Sequence, residues 1–367
     1  MNNNSFWKNK PVKVSNDNAI LNSLLSKDVL LSNINKEINL NRFKLEYSVI
    51  MGDDLDRNKT VQILNFINKN YVTSKEMSRL LYSIELFEFY CQTHQCIILE
   101  FYPKNNKNIV GYIIGKIGKV SLYNVIFETS EVNFLCIVPH LRSMGLSSYM
   151  INVLSKEIIT KYDIITSHYT VSTPIQSPYF GEKLFFHRVK SKKSTFNCDK
   201  KFINTHTIEY INNKQNINQL IYYLYNEYLR YCQLNYDIYE VVNIEEFKTS
   251  FMNKAFHHFI IRDDTNFIIA YVSFFRLDTL YNETDIIRNG YYYYMFFNDI
   301  KNKINCIEYI HKYIYDKGIF NLITFTDIFD INYEDINCVK SDTVLKYYFY
   351  NLNCPLIQNN KNGLITI

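Results

Sequence analysis

The sequence predicts an α/β protein built from two similar halves, and three observations lead to this prediction. The chain has 367 residues, enough for two ordinary domains or one large duplicated one. In both halves, apolar residues recur first with helical spacing, then as in β-hairpins, and finally in a strand–helix–strand order. The polar stretch at residues 190–201 is typical of a surface loop, so we expect the joint near residues 195–210.

The individual elements are predicted from changes in this periodicity. After Gly145, for example, Leu146, Tyr149, Met150 and Val153 lie on one helical stripe. In the first half we expect helices near 18–32, 58–71, 76–90 and from 146 onward, and strands at 96–102, 108–117, 131–138 and 163–172. In the second half we expect helices at 217–232 and 303–316, and strands at 258–264, 266–277, 291–299 and 320–328.

The composition is that of a globular protein, with 47% hydrophobic and 21% charged residues. A net charge of +4 is too small to indicate nucleic-acid binding by itself. The chain contains 32 tyrosines, which base-composition drift explains better than a base-stacking surface does. No apolar run is long enough to span a bilayer and no signal peptide is visible, so we expect a cytoplasmic protein without a membrane segment.

The eight cysteines do not form a recognisable metal site or disulfide framework. Cys91 and Cys96 are the closest pair and flank His94, but they have no second pair of ligands nearby in the sequence. We therefore expect buried free thiols, a reducing compartment and no bound metal.

A strand-to-helix turn at residues 141–148 has the features of a phosphate site. The start of a helix presents unpaired N–H groups and a favourable dipole to an anion. Arg142 adds a cation, Ser143 and Ser147 add hydroxyl groups, and Gly145 permits close approach of the backbone. The turn resembles the R-x-x-G-x-[GSA] turn that binds coenzyme A pyrophosphate in the GNAT acyltransferase superfamily. An ordinary helix start beside a surface arginine explains this stretch equally well.

Several longer segments resemble one family, the glycylpeptide N-myristoyltransferases, over nearly the whole chain from about residue 5 to residue 367. The most specific are EVNFLCIVPHLRS at 131–143, and YYFYNLNCP at 347–355 followed by NGLITI at 362–367. The other similar segments are SFWKNKPV at 5–12, INKNYV at 67–72, HYT at 168–170 and FFHR at 185–188.

The resemblance implies a fold and an activity. The fold would be two tandem GNAT-like halves with pseudo-twofold symmetry around a continuous mixed, largely antiparallel β-sheet flanked by helices. Residues 1–200 would bind myristoyl-CoA, and residues 201–367 would bind a peptide and return the C-terminus to the active site. The protein would be a monomer that transfers myristate to the α-amine of an N-terminal glycine, with myristoyl-CoA as co-substrate and no other cofactor.

The resemblance also implies which residues are catalytic. The backbone N–H groups of Phe134 and Leu135 would form the oxyanion hole, and the terminal carboxylate of Ile367 would be the base. A glycine α-amine has a pKa of roughly 7.7–8.0, so its deprotonation near neutral pH costs little. A terminal carboxylate, with a pKa of roughly 3.3–3.7, is a weak base that burial would strengthen.

The remaining site residues come from the same resemblance. The myristoyl-CoA site would comprise Phe6, Trp7, Asn133, Phe134, Leu135, Cys136, Ile137, Arg142, Ser143, Met144, Gly145, Leu146 and Ser147. The peptide site would comprise Tyr71, Val72, Asn133, Thr170, Phe185, His187 and Asp342. For His187, a core imidazole bonded to a backbone carbonyl is an equally good interpretation.

Departures from the family pattern leave alternatives open. Residues 73–77, TSKEM, contain one acidic residue where the family has several, which puts the preference for a downstream lysine in the peptide in doubt. This change motivates a second hypothesis, a catalytically inactive homologue that binds acyl-CoA or peptide. An acetyltransferase of the wider superfamily is disfavoured by the family-specific ends of the chain.

Overall fold

The computed structural model describes residues 4–8, 10–15, 22–40, 43, 45–71, 78–93, 95–173, 175–190, 196–211, 217–282 and 284–367. Its helices are α1 (Asn4–Trp7), α2 (Lys27–Asn39), α3 (Arg57–Asn70), α4 (Ile84–Gln92), α5 (Leu146–Tyr162), α6 (Lys200–Thr205), α7 (Asn218–Asn235), α8 (Ile244–Met252) and α9 (Lys303–Asp316). Its strands are β1 (Lys13–Val14), β2 (Leu45–Met51), β3 (Arg79–Leu81), β4 (Gln95–Pro103), β5 (Gly111–Leu122), β6 (Val125–Ile137), β7 (Ser167–Val171), β8 (Gly181–Val189), β9 (Thr207–Ile211), β10 (Ile238–Glu240), β11 (Phe256–Arg262), β12 (Ile268–Arg276), β13 (Asp278–Tyr281), β14 (Asp285–Ile287), β15 (Asn289–Phe297), β16 (Leu322–Thr326), β17 (Val339–Tyr350) and β18 (Asn353–Cys354).

One large sheet forms the centre of the molecule. Its strand order is β2-β4-β5-β6-β7-β17-β8-β16-β15-β12-β11-β9, with β10 added beside β5. Counted inward from the two ends of this order, the strands correspond in pairs. These pairs are β2 with β9, β4 with β11, β5 with β12, β6 with β15, and β7 with β16. Helix α5 connects the parallel pair β6–β7, and α9 connects the parallel pair β15–β16. The other neighbours along this order are antiparallel, so the predicted fold class is confirmed.

The two halves exchange a strand at the middle of this sheet. Strand β17, from the end of the chain, lies beside β7 of the first half, and β8 lies beside β16 of the second half. The two exchanged strands also pair with each other, for example Leu345 with Lys183. The exchange brings the last residues of the chain to the middle of the sheet.

The bounds predicted from the sequence are wrong for two helices. The helix expected near 18–32 begins only at Lys27 and ends at Asn39. The helix expected at 76–90 is shorter, because Arg79–Leu81 pairs as a strand with β13. Helix α4 then begins after Ser83, whose hydroxyl accepts a hydrogen bond from the Leu86 N–H at 3.1 Å. By contrast, α9 has the predicted bounds and α3 is within one residue of them.

Close packing of α5 against the sheet depends on two glycines of β5. A Cβ at Gly115 would lie 2.7 Å from Ile158 Cδ1, and one at Gly111 would lie 2.9 Å from Met150 Cε. Helix α5 can therefore lie directly on β5, which fixes the position of its first turn relative to β6. Within the described part of the chain, no helix combines the length and the apolar character needed to cross a membrane.

The tyrosines and cysteines serve mainly as packing residues. Tyr90, Tyr112, Tyr271, Tyr294 and others are among the largest fully buried side chains, which argues against a base-stacking role for the tyrosine excess. All eight cysteines are free thiols, six of them buried and two half-buried.

Candidate active site

A bulge in β6 shapes the centre of the site. Asn133 pairs with Ile114 of β5 and Cys136 pairs with Tyr112, so Phe134 and Leu135 together lie opposite a single residue. Phe134 has a φ of +52°, an unusual conformation for a residue other than glycine. Bulges of this kind redirect the backbone of a strand, and they are frequent beside active sites.

The side chain of Phe134 holds the bulge in place. Its ring is 1% exposed and is surrounded by the rings of Tyr71, Tyr82, Phe87 and Tyr90, with centroids 6.2, 5.0, 5.6 and 5.2 Å away. A left-handed backbone costs roughly 1–2 kcal/mol, whereas full burial of a phenylalanine contributes roughly 1.5–3 kcal/mol. Packing of the ring therefore outweighs the backbone strain.

The parallel ladder between β6 and β7 ends at the bulge. It joins Ser130–Val132 to Ser167–Tyr169 and stops at the residue before Asn133. Thr170, the next residue of β7, pairs on its other side with Tyr347 of β17. The bulged segment of β6, which contains Phe134 and Leu135, is thus not paired with β7.

The last residues of the chain return to this bulge. Gly363 N–H donates to the Ile238 carbonyl at 2.7 Å, and the Leu364 carbonyl accepts from Lys183 Nζ and from Tyr347 Oη. Ile367 is 7% exposed, and its main-chain oxygen accepts a hydrogen bond from Asn133 Nδ2 at 2.9 Å. Residues 234 positions apart in the sequence are therefore in direct contact.

Asn133 also binds the first of the two predicted oxyanion donors. The Phe134 N–H donates to Asn133 Oδ1 at 2.8 Å, because the bulge turns it toward the preceding side chain. A substrate oxygen that binds this N–H must therefore replace the amide oxygen of Asn133. One side chain thus contacts both the predicted oxyanion segment and the end of the chain.

The predicted phosphate turn has the geometry of an open helix start. Ser143 and Gly145 have φ values of +63° and +88°, and α5 begins at Leu146 without a side-chain cap. A Cβ at Gly145 would meet no atom within 4 Å. Arg142 Nε donates to the Ile137 carbonyl at 3.0 Å and its Nη2 to the Asn70 carbonyl. The arginine therefore joins the end of β6 to the end of α3 and places its positive charge at the turn.

The N-terminal aromatic residues lie beside the end of the β6–β7 ladder. Trp7 stacks on Tyr169 with centroids 4.9 Å apart, and Phe6 contacts Trp7 at 5.0 Å. Lys10 fixes this segment, because its Nζ lies 2.6 Å from Glu37 Oε2 on α2 and 3.1 Å from Asn152 Oδ1 on α5. The segment is therefore held against β7, α2 and α5.

Cys136 lies within the bulged strand but is not activated. It is buried, and this burial raises the pKa of its thiol to about 12, although Arg142 acts in the opposite direction. A thiol of this kind stays protonated and is a poor nucleophile. Cys136 is therefore not a candidate for a nucleophile in this site.

The predicted peptide residues are only partly brought together. Tyr71 lies against Phe134, and its burial raises the pKa of its hydroxyl to about 12. His187 Nδ1 is 2.9 Å from Thr324 Oγ1, and burial lowers the pKa of the imidazole. Asp342 is exposed in an irregular part of β17, outside the pocket described next. Val72 and residues 73–77 lie outside the described residues.

A narrow pocket with a cavity volume of about 40 Å³ lies between the tail of the chain and the neighbouring strands β17, β8, β16, β15 and β12. Its lining consists of Lys183, Phe185, Phe275, Tyr291, Tyr292, Met295, Thr324, Phe325, Thr326, Ile328, Leu345, Tyr347, Ile365 and Thr366.

Of this lining, Phe185 is predicted from the sequence and Lys183 is not. One signal was available, since residues 183, 185 and 187 alternate along β8 and therefore share a face. Burial lowers the pKa of the Lys183 ammonium to about 7, against the opposing effect of Asp327.

The bulged strand released from its parallel neighbour and the open helix start lie where the resemblance to acyltransferases implies two functional segments, at β6 of the mixed sheet and directly after it. Residues 26–180 match the family model for the N-terminal domain of myristoyl-CoA:protein N-myristoyltransferase. A glycylpeptide N-tetradecanoyltransferase of Plasmodium falciparum (isolate 3D7) is 22% identical over 99% of this chain and 93% of its own length. The chain is therefore similar to N-myristoyltransferases, through the match at residues 26–180 and through a relative aligned along nearly its whole length.

Solved structures show the same fold. A crystal structure of Saccharomyces cerevisiae N-myristoyltransferase with bound myristoyl-CoA has a TM-score of 0.77 and 16% identity, with 100% of both chains covered. A second structure of the yeast enzyme with bound myristoyl-CoA has a TM-score of 0.78 and 16% identity, and covers 99% of this chain and 94% of its own. At this level of identity, the likeness concerns the fold.

Proposed function

We propose that the protein transfers myristate from myristoyl-CoA to the α-amine of an N-terminal glycine in proteins. The observation that carries the proposal is Asn133, whose side chain contacts both the Phe134 N–H and the main-chain oxygen of Ile367. A carbonyl-polarising segment and a carboxylate base would then lie on either side of one amide group. The relatives named above carry the same activity in their names.

The first half of the chain, residues 1–200, would hold the acyl-CoA. The pyrophosphate would bind the N–H groups at the start of α5 and the charge of Arg142, because helix starts favour anions. The thioester carbonyl would lie at the bulge, where the N–H groups of Phe134 and Leu135 stabilise the developing oxyanion. Each such donor contributes a few kcal/mol, about 3–4, to lowering the barrier.

The second half, residues 201–367, would hold the peptide and supply the base. The carboxylate of Ile367 takes a proton from the glycine ammonium, and the free amine attacks the thioester carbon. The tetrahedral intermediate then breaks its C–S bond as its nitrogen loses a proton and the leaving sulfur gains one, so CoA leaves as its thiol and the Ile367 carboxyl returns its proton to solvent. Myristoyl-CoA is the co-substrate, and we propose a cytoplasmic monomer.

The decisive experiment measures release of CoA thiol from myristoyl-CoA with a panel of short peptides that begin Gly-x-x-x-Ser. We expect peptide-dependent release, with the acyl mass on the glycine. The matched control is the same peptide with an acetylated N-terminus, which has no amine to react. Binding of myristoyl-CoA without transfer to any peptide would contradict the proposal and would favour the inactive binding homologue.

A second experiment tests the base. Addition of two residues after Ile367, or its deletion, moves the carboxylate away from Asn133. We expect turnover to fall at least about tenfold while the affinity for myristoyl-CoA is unchanged. Normal turnover in both variants would exclude this carboxylate as the base.

A further inference from the structure

Lys183 is a buried cation that the proposed chemistry does not use. It lies on β8, is 1% exposed, and donates from Nζ to the Leu364 carbonyl. Among the described residues no carboxylate forms an ion pair with it, and Asp327 is the charged group that acts on its pKa. The oxygens of Asp327 are already bound by the Leu184 N–H at 3.2 Å and by Asn359 Nδ2 at 2.7 Å.

The pocket places this cation close to the proposed reaction centre. Lys183 is the charged side chain of the lining, whose other described members are apolar, aromatic or hydroxyl-bearing. Ile365 and Thr366 of the tail line the same pocket. Leu364, which Lys183 contacts, is three residues before Ile367, so the two positions are separated by at most about 10 Å of extended chain.

The ammonium group of Lys183 has hydrogen-bond donors that are not used in this pocket. It carries three donors, of which one is used by the Leu364 carbonyl. A buried charge is costly unless it is paired, and burial here lowers the pKa of Lys183 to about 7. A carboxylate brought into the pocket by a ligand would supply both the missing acceptor and the missing countercharge.

We propose that Lys183 selects peptides that carry an aspartate or glutamate within the three residues after the N-terminal glycine. The proposal rests on the proposed transferase function, because that function places the glycine at Ile367. A peptide that runs alongside the tail from there reaches Lys183 with the side chain of its second, third or fourth residue. In the competing explanation, the only role of Lys183 is to anchor the tail of the chain through its hydrogen bond to the Leu364 carbonyl.

The test compares acidic peptides with amide peptides of the same shape. Peptides of the form Gly-x-x-x-Ser carry Asp or Glu at position 2, 3 or 4, or the matching Asn or Gln. For the wild type we expect an acidic residue at one of these positions to lower KM about tenfold relative to its amide counterpart. Equal KM values for all acidic and amide pairs would overturn the proposal without affecting the transferase function.

Lys183→Gln separates the charge from the hydrogen bond. Glutamine can still donate to the Leu364 carbonyl but carries no charge, so we expect the KM ratio between amide and acidic peptides to fall to about one. Lys183→Met removes both functions and should also lose the preference. Survival of the preference in either variant, or an equal loss of kcat for every peptide, would overturn the proposal.

Two controls complete the design. Lys190→Met removes another lysine that donates to a main-chain carbonyl, that of Tyr315 at 2.7 Å, and should keep the preference. If no peptide is acylated, the transferase proposal fails and calorimetric titration of the same peptides into the myristoyl-CoA complex decides the role of Lys183. Tighter binding of acidic peptides to wild type than to Lys183→Gln then supports the selection, and equal binding rejects it.

Discussion

Asn133 combines two opposite hydrogen-bonding functions in one side chain. Its amide oxygen accepts from the Phe134 N–H, and its amide nitrogen donates to the main-chain oxygen of Ile367. Aspartate would lack the donor and would repel a carboxylate, whereas leucine of similar volume would lack both functions. An amide is therefore the group that can bond both the bulged N–H and the main-chain oxygen of Ile367.

Replacement of Asn133 by leucine should lower transfer much more than stability. Because the proposed base is the Ile367 carboxylate, loss of a hydrogen bond to this charged group, roughly 1.5–3 kcal/mol, should lower kcat about 10- to 100-fold. Steady-state kinetics and acyl-CoA titration provide the measurement. Asn235→Leu is the control, since it removes a side chain that donates to the Tyr231 carbonyl on α7. An equal loss of activity in both variants would contradict a specific role for Asn133.

The sequence predicts which residues form this contact but not how they are arranged. The motifs at residues 131–143 and 362–367 point to Phe134, Leu135 and Ile367. The occupation of the Phe134 N–H by Asn133 depends on the bulge, which follows from pairing with β5 and leaves no local pattern. Lys183 was missed because its significance comes from a pocket formed by strands far apart in sequence.

At the scale of secondary-structure elements, the first turn of α5 is the feature on which acyl-CoA binding would depend. Its N–H groups stay accessible because Gly145 adopts a left-handed conformation and no side chain caps the helix. Gly318, after the end of α9, has a similar conformation with a φ of +64°, and a Cβ there also meets no atom within 4 Å. Gly145 thus lies just before the start of one helix, and Gly318 lies just after the end of another in a similar conformation.

Gly145→Ala and Gly318→Ala should therefore have the same effect on stability and different effects on binding. Each forces alanine into a left-handed conformation, and we expect each to lower the free energy of unfolding by about 1 kcal/mol. Only Gly145→Ala should also weaken myristoyl-CoA binding, by several-fold, because it displaces the N–H groups that would contact the pyrophosphate. Urea denaturation and acyl-CoA titration are the measurements. Equal affinities in the two variants would argue against a phosphate site at this turn.

Elements with a strong internal period were predicted well, and elements defined by distant partners were not. Helix α9 shows a clear apolar stripe and was predicted with its exact bounds. Strand β3 was included in a helix because its extended conformation depends on pairing with β13, about 200 residues away. Strands β8 and β17 were not predicted, since they cross between the halves and the first five residues of β17 are mostly exposed.

At the scale of the whole molecule, two buried histidines make stability dependent on acid. Burial lowers the pKa of His258 to about 3, and burial together with Arg188 lowers the pKa of His311 well below its usual value. His258 Nε2 donates to the Ser250 carbonyl at 3.1 Å, and His311 Nδ1 lies 3.0 Å from Arg188 Nη1. Because an arginine can only donate, His311 Nδ1 must remain unprotonated.

The sign of the resulting pH dependence follows from linkage. An unfolded histidine has a pKa near 6.5 and binds a proton below that pH, whereas the buried histidine of the folded protein does not. The full free energy of unfolding is therefore present above about pH 6.5 and is lost as the pH falls toward the folded pKa. At pH 5 we expect a loss of roughly 2 kcal/mol for each such histidine. Urea denaturation at pH 7.5, 6 and 5 measures it.

Two variants attribute the pH dependence to its source. His258→Gln should lower the free energy of unfolding at pH 7.5. It should also reduce the decline of this free energy between pH 6.5 and 5, because the variant lacks one histidine that takes up a proton on unfolding. His140 is exposed in the turn before α5, so His140→Gln should leave the decline unchanged. A decline of the same slope in His258→Gln and in wild type would show that this histidine is not a source of the acid sensitivity.

The exchange of β8 and β17 has a consequence for how the protein is made. A ribosome releases β7 long before β17, so the growing sheet carries an open edge until residues 339–350 have emerged. Open strand edges are sites of mispairing and aggregation. The newly synthesised first half must therefore wait for nearly the whole polypeptide before the edge of its sheet beside β7 is covered.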